Sequence, residues 1–211
     1  MIILAHRGWW RTPAEKNTLQ ALERAFAAEF GVETDLRDHD GELIVAHDPP
    51  CGGGHLPFEA ALAAFKRAGE PGAFAINVKA DGLQDQLKAA IARTKVTRAY
   101  VFDMSVPDAV RYLAAGIPAY TRASEYESTP SFLGQAAGVW VDGFMSDWAQ
   151  GEHIGQFLDQ GKSVALVSPE CHKRSHSEAW AHWRSFGGDP RVHLCTDFPD
   201  EADRYFNSSK D

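Results

Sequence analysis

Two histidines close apolar runs in this chain: His6 ends MIILAH, and His47 ends LIVAH just before the chain breaks into DPPCGGG. An imidazole titrates near neutrality and can pass a proton in either direction, so two of them at the ends of buried segments suit general acid–base chemistry. Between them, VETDLR sets Glu33, Asp35 and Arg37 on one side of an extended segment, because side chains alternate along a strand; INVKAD does the same for Asn77, Lys79 and Asp81. Hard carboxylate oxygens at i and i+2 suit Mg²⁺ or Ca²⁺. Arg7, Lys79 and Arg122 supply positive charge for an anion such as a phosphate. Asp103, Glu170, His172 and Asp197 also end or follow apolar runs.

Each of these residues has a plainer structural role to set beside the chemical one. Glu33 and Asp35 could be ion-pair partners of Lys79 and Arg37; uncompensated buried carboxylates are costly, and metal binding is the favoured reading. His6 alone would read as a satisfied core histidine, Asp48 as a cap before Pro49, and Asn77 equally as a ligand or a hydrogen-bonding strut. Trp9 and Trp10 could wall a pocket or pack under the first loop, while Trp140, Trp148, Trp180 and Trp183 read as packing. His172 shares the loop SPECHKR with Glu170, Lys173 and Arg174, where polarity is ordinary. Cys171 beside it hints at zinc without supplying a four-ligand site.

Residues this far apart need a scaffold that gathers them. Eight apolar segments serve as candidate strands, at Ile2–His6, Val32–Arg37, Phe74–Lys79, Ala99–Asp103, Pro118–Arg122, Val139–Gly143, Ser163–Ser168 and Val192–Thr196. Helical stripes separate several of them: Leu19, Leu22, Phe26 and Phe30 after a cap at Asn17 or Thr18; Leu83, Leu87 and Ile91; and Ala179, Trp180, Trp183 and Phe186. The turn signal Asp40-Gly41 followed by LIVAH predicts a short hairpin hanging from the second strand. Strands alternating with helices imply a parallel sheet, and eight units imply an α/β fold of the closed (β/α)8 TIM-barrel type at about 26 residues per unit. The rival, an open doubly wound sheet, would show a glycine-rich first turn, which His6-Arg7-Gly8-Trp9 is not.

At 211 residues and 44% hydrophobic, with no compositional break, the chain reads as a single domain over 1–211. The net charge of -8 excludes general binding to nucleic acid or anionic membrane, and no run approaches the ~20 apolar residues of a membrane span. Three unpaired cysteines and a start without a basic, long apolar leader predict a reduced, cytoplasmic protein.

The segments AHRG, KNTLQAL, VETDLRDHDGELIVAHD and LCTDFP resemble, in order and spacing, the motifs of the glycerophosphodiester phosphodiesterase family, over the first ~50 residues and again at the eighth strand. The resemblance implies a (β/α)8 barrel hydrolysing a phosphodiester, with His6 and His47 as acid and base. Glu33 and Asp35 would bind Mg²⁺ or Ca²⁺, and Arg7 and Lys79 would contact the substrate phosphate. Two departures mark a divergent branch. Typical members carry a metal-binding glutamate where this chain has Asn77, so Asp103, then Asp81 and Glu170, are expected to complete the ligand set. The usual PEN element reads PAEKN. The expected partner is a small-molecule diester of glycerol or another polyol. The alternatives are a lyase that stops at a cyclic phosphate, or a barrel that binds a phosphorylated ligand with little turnover.

Overall fold

Period-two and period-3.6 segments alternate along the chain, and the computed structural model, which describes residues 1–208, resolves them into one ring of strands under helices. The elements are β1 (Ile2–His6), α1 (Leu19–Ala27), β2 (Gly31–His39), β3 (Glu42–Val45), β4 (Leu56–Pro57), α2 (Phe58–Arg67), β5 (Phe74–Val78), α3 (Gln84–Thr94), β6 (Ala99–Phe102), α4 (Val106–Ala114), β7 (Tyr120–Ala123), β8 (Gly138–Val141), α5 (Gly151–Asp159), β9 (Ser163–Val167), α6 (Ser177–Trp183), β10 (Val192–Thr196) and α7 (Pro199–Phe206). Eight of the strands are parallel and neighbour one another in the order β6-β5-β2-β1-β10-β9-β8-β7. As expected, the hairpin leaves β2 through Asp40 and Gly41, both at positive φ, and β3 returns antiparallel with His39 opposite Glu42.

Two expectations are corrected. The ring is not closed by a continuous ladder: between β6 and β7 a single bridge, Val101 with Ala119, and one bond from Val101 N–H to Pro118 O at 2.9 Å span the seam. Side chains do the rest, with Tyr100 of β6 stacked on Tyr120 of β7 at 3.8 Å and Phe102 on Trp140 of β8 at 3.6 Å. The unit after β7 also lacks its helix. Residues 124–137 cross to β8 as turns, in a stretch (SEYESTPSFLGQAA) whose Ser, Pro and Gly oppose a helix.

The register fixes which residues face inward. Ile2, Leu4 and His6 alternate on β1, and cross-strand partners of like parity include Leu4 with Cys195, His6 with Glu33, and Asp35 with Asn77. The lower inner layer is apolar, built from Leu4, Ala75, Tyr100, Tyr120, Trp140, Ala165 and Cys195. Its aromatics fit because facing positions are small: a Cβ on Gly138 would lie 2.5 Å from the Tyr120 ring. Outside the ring, Phe26, Phe65 and Phe74 join β5 to α1 and α2, with ring centroids 5.2–6.3 Å apart. Above the apolar layer, the inward positions turn polar at the carboxyl ends of the strands.

Candidate active site

The turn after β1 places the first group. Arg7 sits at φ 58° and Gly8 at φ 86°, where a Cβ would come within 2.8 Å of the Ala21 backbone, so α1 packs directly on this turn. Thr18 caps α1 by accepting from Ala21 N–H at 3.3 Å. The Arg7 N–H donates to the Glu33 carbonyl at 2.9 Å and also approaches the Glu33 carboxylate at 3.3 Å, which locks the end of β1 onto β2.

Seven of the nine sequence-derived candidates line one cavity of about 310 Å³ at this end of the ring: His6, Arg7, Glu33, His47, Asn77, Lys79 and Asp103. Asp35 lies just beneath, fully buried, and Glu33 is 2% exposed. Asp35 accepts from Asn17 Nδ2 at 2.8 Å, with Arg7 Nε at 3.3 Å and Lys79 Nζ at 3.6 Å. Its second oxygen, Oδ1, is buried without a hydrogen bond, and so is Asn77 Oδ1 on the register-matched position of β5. Two hard acceptors without hydrogen bonds on adjacent strands, near the Glu33 carboxylate, fit a Mg²⁺ or Ca²⁺ ligand set; Asp35 Oδ1 has the Lys79 ammonium at 3.6 Å, and the Asn77 oxygen, left without a partner, costs about 1–3 kcal/mol. Burial, then the neighbouring Asp35 charge, pushes Glu33 up to about 7.

His6 is held on both edges. Its Nδ1 meets Asp197 Oδ1 at 2.7 Å and its Nε2 lies 3.9 Å from Glu33 Oε2. Burial works against charge on this ring, but the Cys171 sulfur and the Asp197 carboxylate outweigh it and hold His6 well above the usual histidine range. His47 enters from the hairpin, with Nδ1 2.8 Å from Asp48 Oδ1 and its carbonyl accepting from Arg37 Nε at 3.0 Å. Arg37 therefore braces the hairpin and makes no pair with Glu33 or Asp35, whereas Lys79 does contact Asp35.

Several residues have partners that the sequence does not indicate. Asp103 pairs with Arg122 and lies 3.8 Å from Lys79, so its carboxylate serves cations of β5 and β7. Arg122 also pairs with Glu127 and lines a neighbouring cavity of about 30 Å³ with Asp103; it braces the β6–β7 seam and does not itself line the main cavity, though its partner Asp103 does. Asp81 accepts from Ser105 Oγ at 3.1 Å on the surface. Glu170 accepts from Ser168, from Thr196 and, at 3.1 Å, from the Asp197 N–H, which fixes the carboxylate that holds His6. Trp9 packs edge-on against Phe30 at 5.6 Å, and Trp10 donates to the His6 carbonyl at 3.2 Å, so both lie under the first loop. Trp140 packs in the ring and also lines the cavity.

Three contributors have roles that the sequence does not indicate. Asn17, weighed as a cap, instead bridges Asp35 and Thr34. Asp197 holds His6, and Asp142 holds the Nε2 of His172 at 2.7 Å on the opposite wall, where Phe144 packs on that ring at 5.2 Å. The Asp142 hydrogen bond, against burial, raises His172. Asp142 ends the strand segment VWVD just as Asp103 ends YVFD, a signal that could have found it.

No family model matches the chain, and no curated protein does. Solved structures share its fold. The glycerophosphodiester phosphodiesterase of Agrobacterium tumefaciens superposes with a TM-score of 0.70 at 16% identity, over 95% of this chain and 96% of that one. A glycerophosphoryl diester phosphodiesterase of Parabacteroides distasonis gives 0.68 at 14%, over 97% and 85%. A Ca²⁺-dependent phosphatidylinositol-specific phospholipase C of Streptomyces antibioticus gives 0.60 at 12%, over 95% of each chain.

Proposed function

We propose that this protein is a metal-dependent phosphodiesterase acting on a small diester of glycerol or a related polyol. The observation that carries the reading is the pair of buried oxygens that accept no hydrogen bond, Asp35 Oδ1, which has only the Lys79 ammonium at 3.6 Å, and Asn77 Oδ1, set in the same mouth as His6, His47, Arg7 and Lys79. The activity in the names of the three structural neighbours is consistent with it.

Glu33, Asp35 and Asn77 would hold the cation. When bound, Mg²⁺ or Ca²⁺ supplies the charge that screens the phosphoryl oxygens of an anionic diester. Arg7 and Lys79 draw the diester to the mouth and orient it, a local answer to a chain whose net charge is -8. In-line displacement needs a base beside the attacking oxygen and an acid beside the leaving one, and the two imidazoles fill these roles, one each. The Asp197 contact fixes which nitrogen of His6 faces the cavity. A neighbouring substrate hydroxyl in place of water as the nucleophile would yield a cyclic phosphate, which phosphorus NMR distinguishes.

The test is hydrolysis of bis(p-nitrophenyl) phosphate and a panel of glycerophosphodiesters, with and without Mg²⁺, Ca²⁺ or Mn²⁺. Metal-dependent turnover is expected, falling by about 10²–10⁴ in His6→Ala and in His47→Ala. Full activity in both variants would refute the acid–base pair. Phosphate-induced thermal stabilisation without turnover under any metal would leave a binding protein in which Asn77 and the Lys79–Asp35 pair have replaced a working metal site.

A further inference from the structure

The wall of the mouth behind His6 has a different donor chemistry from the oxygen-rich side. His6, Cys171 and Asp197 each offer a ligand atom, and these atoms all lie within 4.8 Å of one another. They come from the ends of β1 and β10 and from the short turn Pro169–His172 after β9. That turn is fixed from within, since Glu170 binds Thr196 and the Asp197 N–H. Cys171 approaches the Cys195 carbonyl at 3.8 Å, and both Cys171 and His6 line the open cavity, through which a metal ion can reach them.

We propose that this nitrogen–sulfur–oxygen trio is a second, thiophilic metal site that takes Zn²⁺ and switches the enzyme off. Three protein ligands with one open position is the form of an accessible zinc site, and Zn–S near 2.3 Å with Zn–N near 2.0 Å spaces tetrahedral donors about 3.5 Å apart. The His6–Asp197 contact of 2.7 Å opens to meet that spacing while the sulfur closes in. Lys16 Nζ, 3.6 Å from the second Asp197 oxygen, stays on the outer side of the carboxylate. Glu33, Asp35 and Asn77 present only oxygen and favour Mg²⁺ or Ca²⁺, whereas a thiol with an imidazole favours zinc, so the two cations sort by donor type across one shared histidine. An imidazole that ligates a metal has no free lone pair with which to accept a proton, so a zinc-loaded His6 cannot serve as acid or base. Binding is independent of the functional reading above; only the inhibition rests on it.

The experiment uses the full chain in saturating Mg²⁺ and a non-thiol reductant, with Co²⁺ as the spectroscopic substitute for Zn²⁺. One equivalent of Co²⁺ is expected to raise the visible bands of four-coordinate cobalt and a near-ultraviolet thiolate-to-metal band, both erased by Zn²⁺. Cys171→Ser is expected to lack the thiolate band, and both it and Asp197→Asn should loosen Zn²⁺ by more than the ~10–100-fold that losing an outer-shell partner costs. Absence of a thiolate band in the parent protein, or its persistence in Cys171→Ser, overturns the site. Cobalt bound in this way by a protein with no hydrolytic activity upholds the site and removes only the catalytic role of His6.

Discussion

Glu33 sits 2% exposed, and burial first, with Asp35 beside it second, pushes its carboxyl up to about 7. Metal binding needs the carboxylate, so below that value a proton competes with the cation. Affinity for Mg²⁺ or Ca²⁺ is therefore expected to weaken as pH falls through 7, by up to about tenfold per unit, and to level off above it, with proton release on binding. Calorimetric titrations between pH 6 and 8 in buffers of different ionisation enthalpy check both effects; a flat profile with no proton release would place the cation away from Glu33. Asn77 contributes an oxygen but no charge, and Asn77→Glu is expected to tighten the metal by about tenfold or more, read in the same titration. Weakened binding would show that the amide makes a contact the carboxylate cannot. The types and spacing of His6, Glu33, Asp35, His47 and Lys79 were legible in sequence because each ends a strand or shares its inward parity. The partners of Asp103, Arg122 and His172 were not, because each pair joins residues 19 or 30 positions apart and exists only once neighbouring strands are in register.

At the scale of elements, the strands and the hairpin could be read from alternation and from Asp40-Gly41. The missing helix after β7 could not, since a barrel pattern fills such a gap by analogy even where the residues oppose it. The seam between β6 and β7 has one bridge, so its cohesion falls to the Tyr100–Tyr120 stack and to Arg122 with Asp103. Tyr120, 5% exposed and packed over Gly138, leaves a void when truncated. Tyr120→Ala is expected to cost about 3–5 kcal/mol in urea unfolding, the range for large aromatic truncations, and to speed amide exchange in β6 and β7 before β1 and β10. A loss under about 1 kcal/mol, or uniform exchange around the ring, would mean that the backbone closes the barrel without the stack.

Across the whole molecule, the ring divides into an apolar floor and a polar mouth, and every strand obeys one parity, which is why groups from both ends of the chain converge. The mouth itself is divided. Cations and oxygen acceptors come from the ends of β1, β2 and β5, while Trp140, Phe144 and the His172–Asp142 pair face them from the ends of β8 and β9. In the described residues no helix is long and apolar enough to cross a membrane. The proposed reaction requires one cation and two imidazoles to meet at a single phosphorus. Mn²⁺ in place of Mg²⁺, with inorganic phosphate bound, tests this by paramagnetic broadening in one sample. The ring signals of His6 and His47 and the phosphate ³¹P line should broaden together, while His153 on α5 and His182 on α6, both exposed, stay sharp. Broadened phosphate beside a sharp His6 or His47 would contradict it.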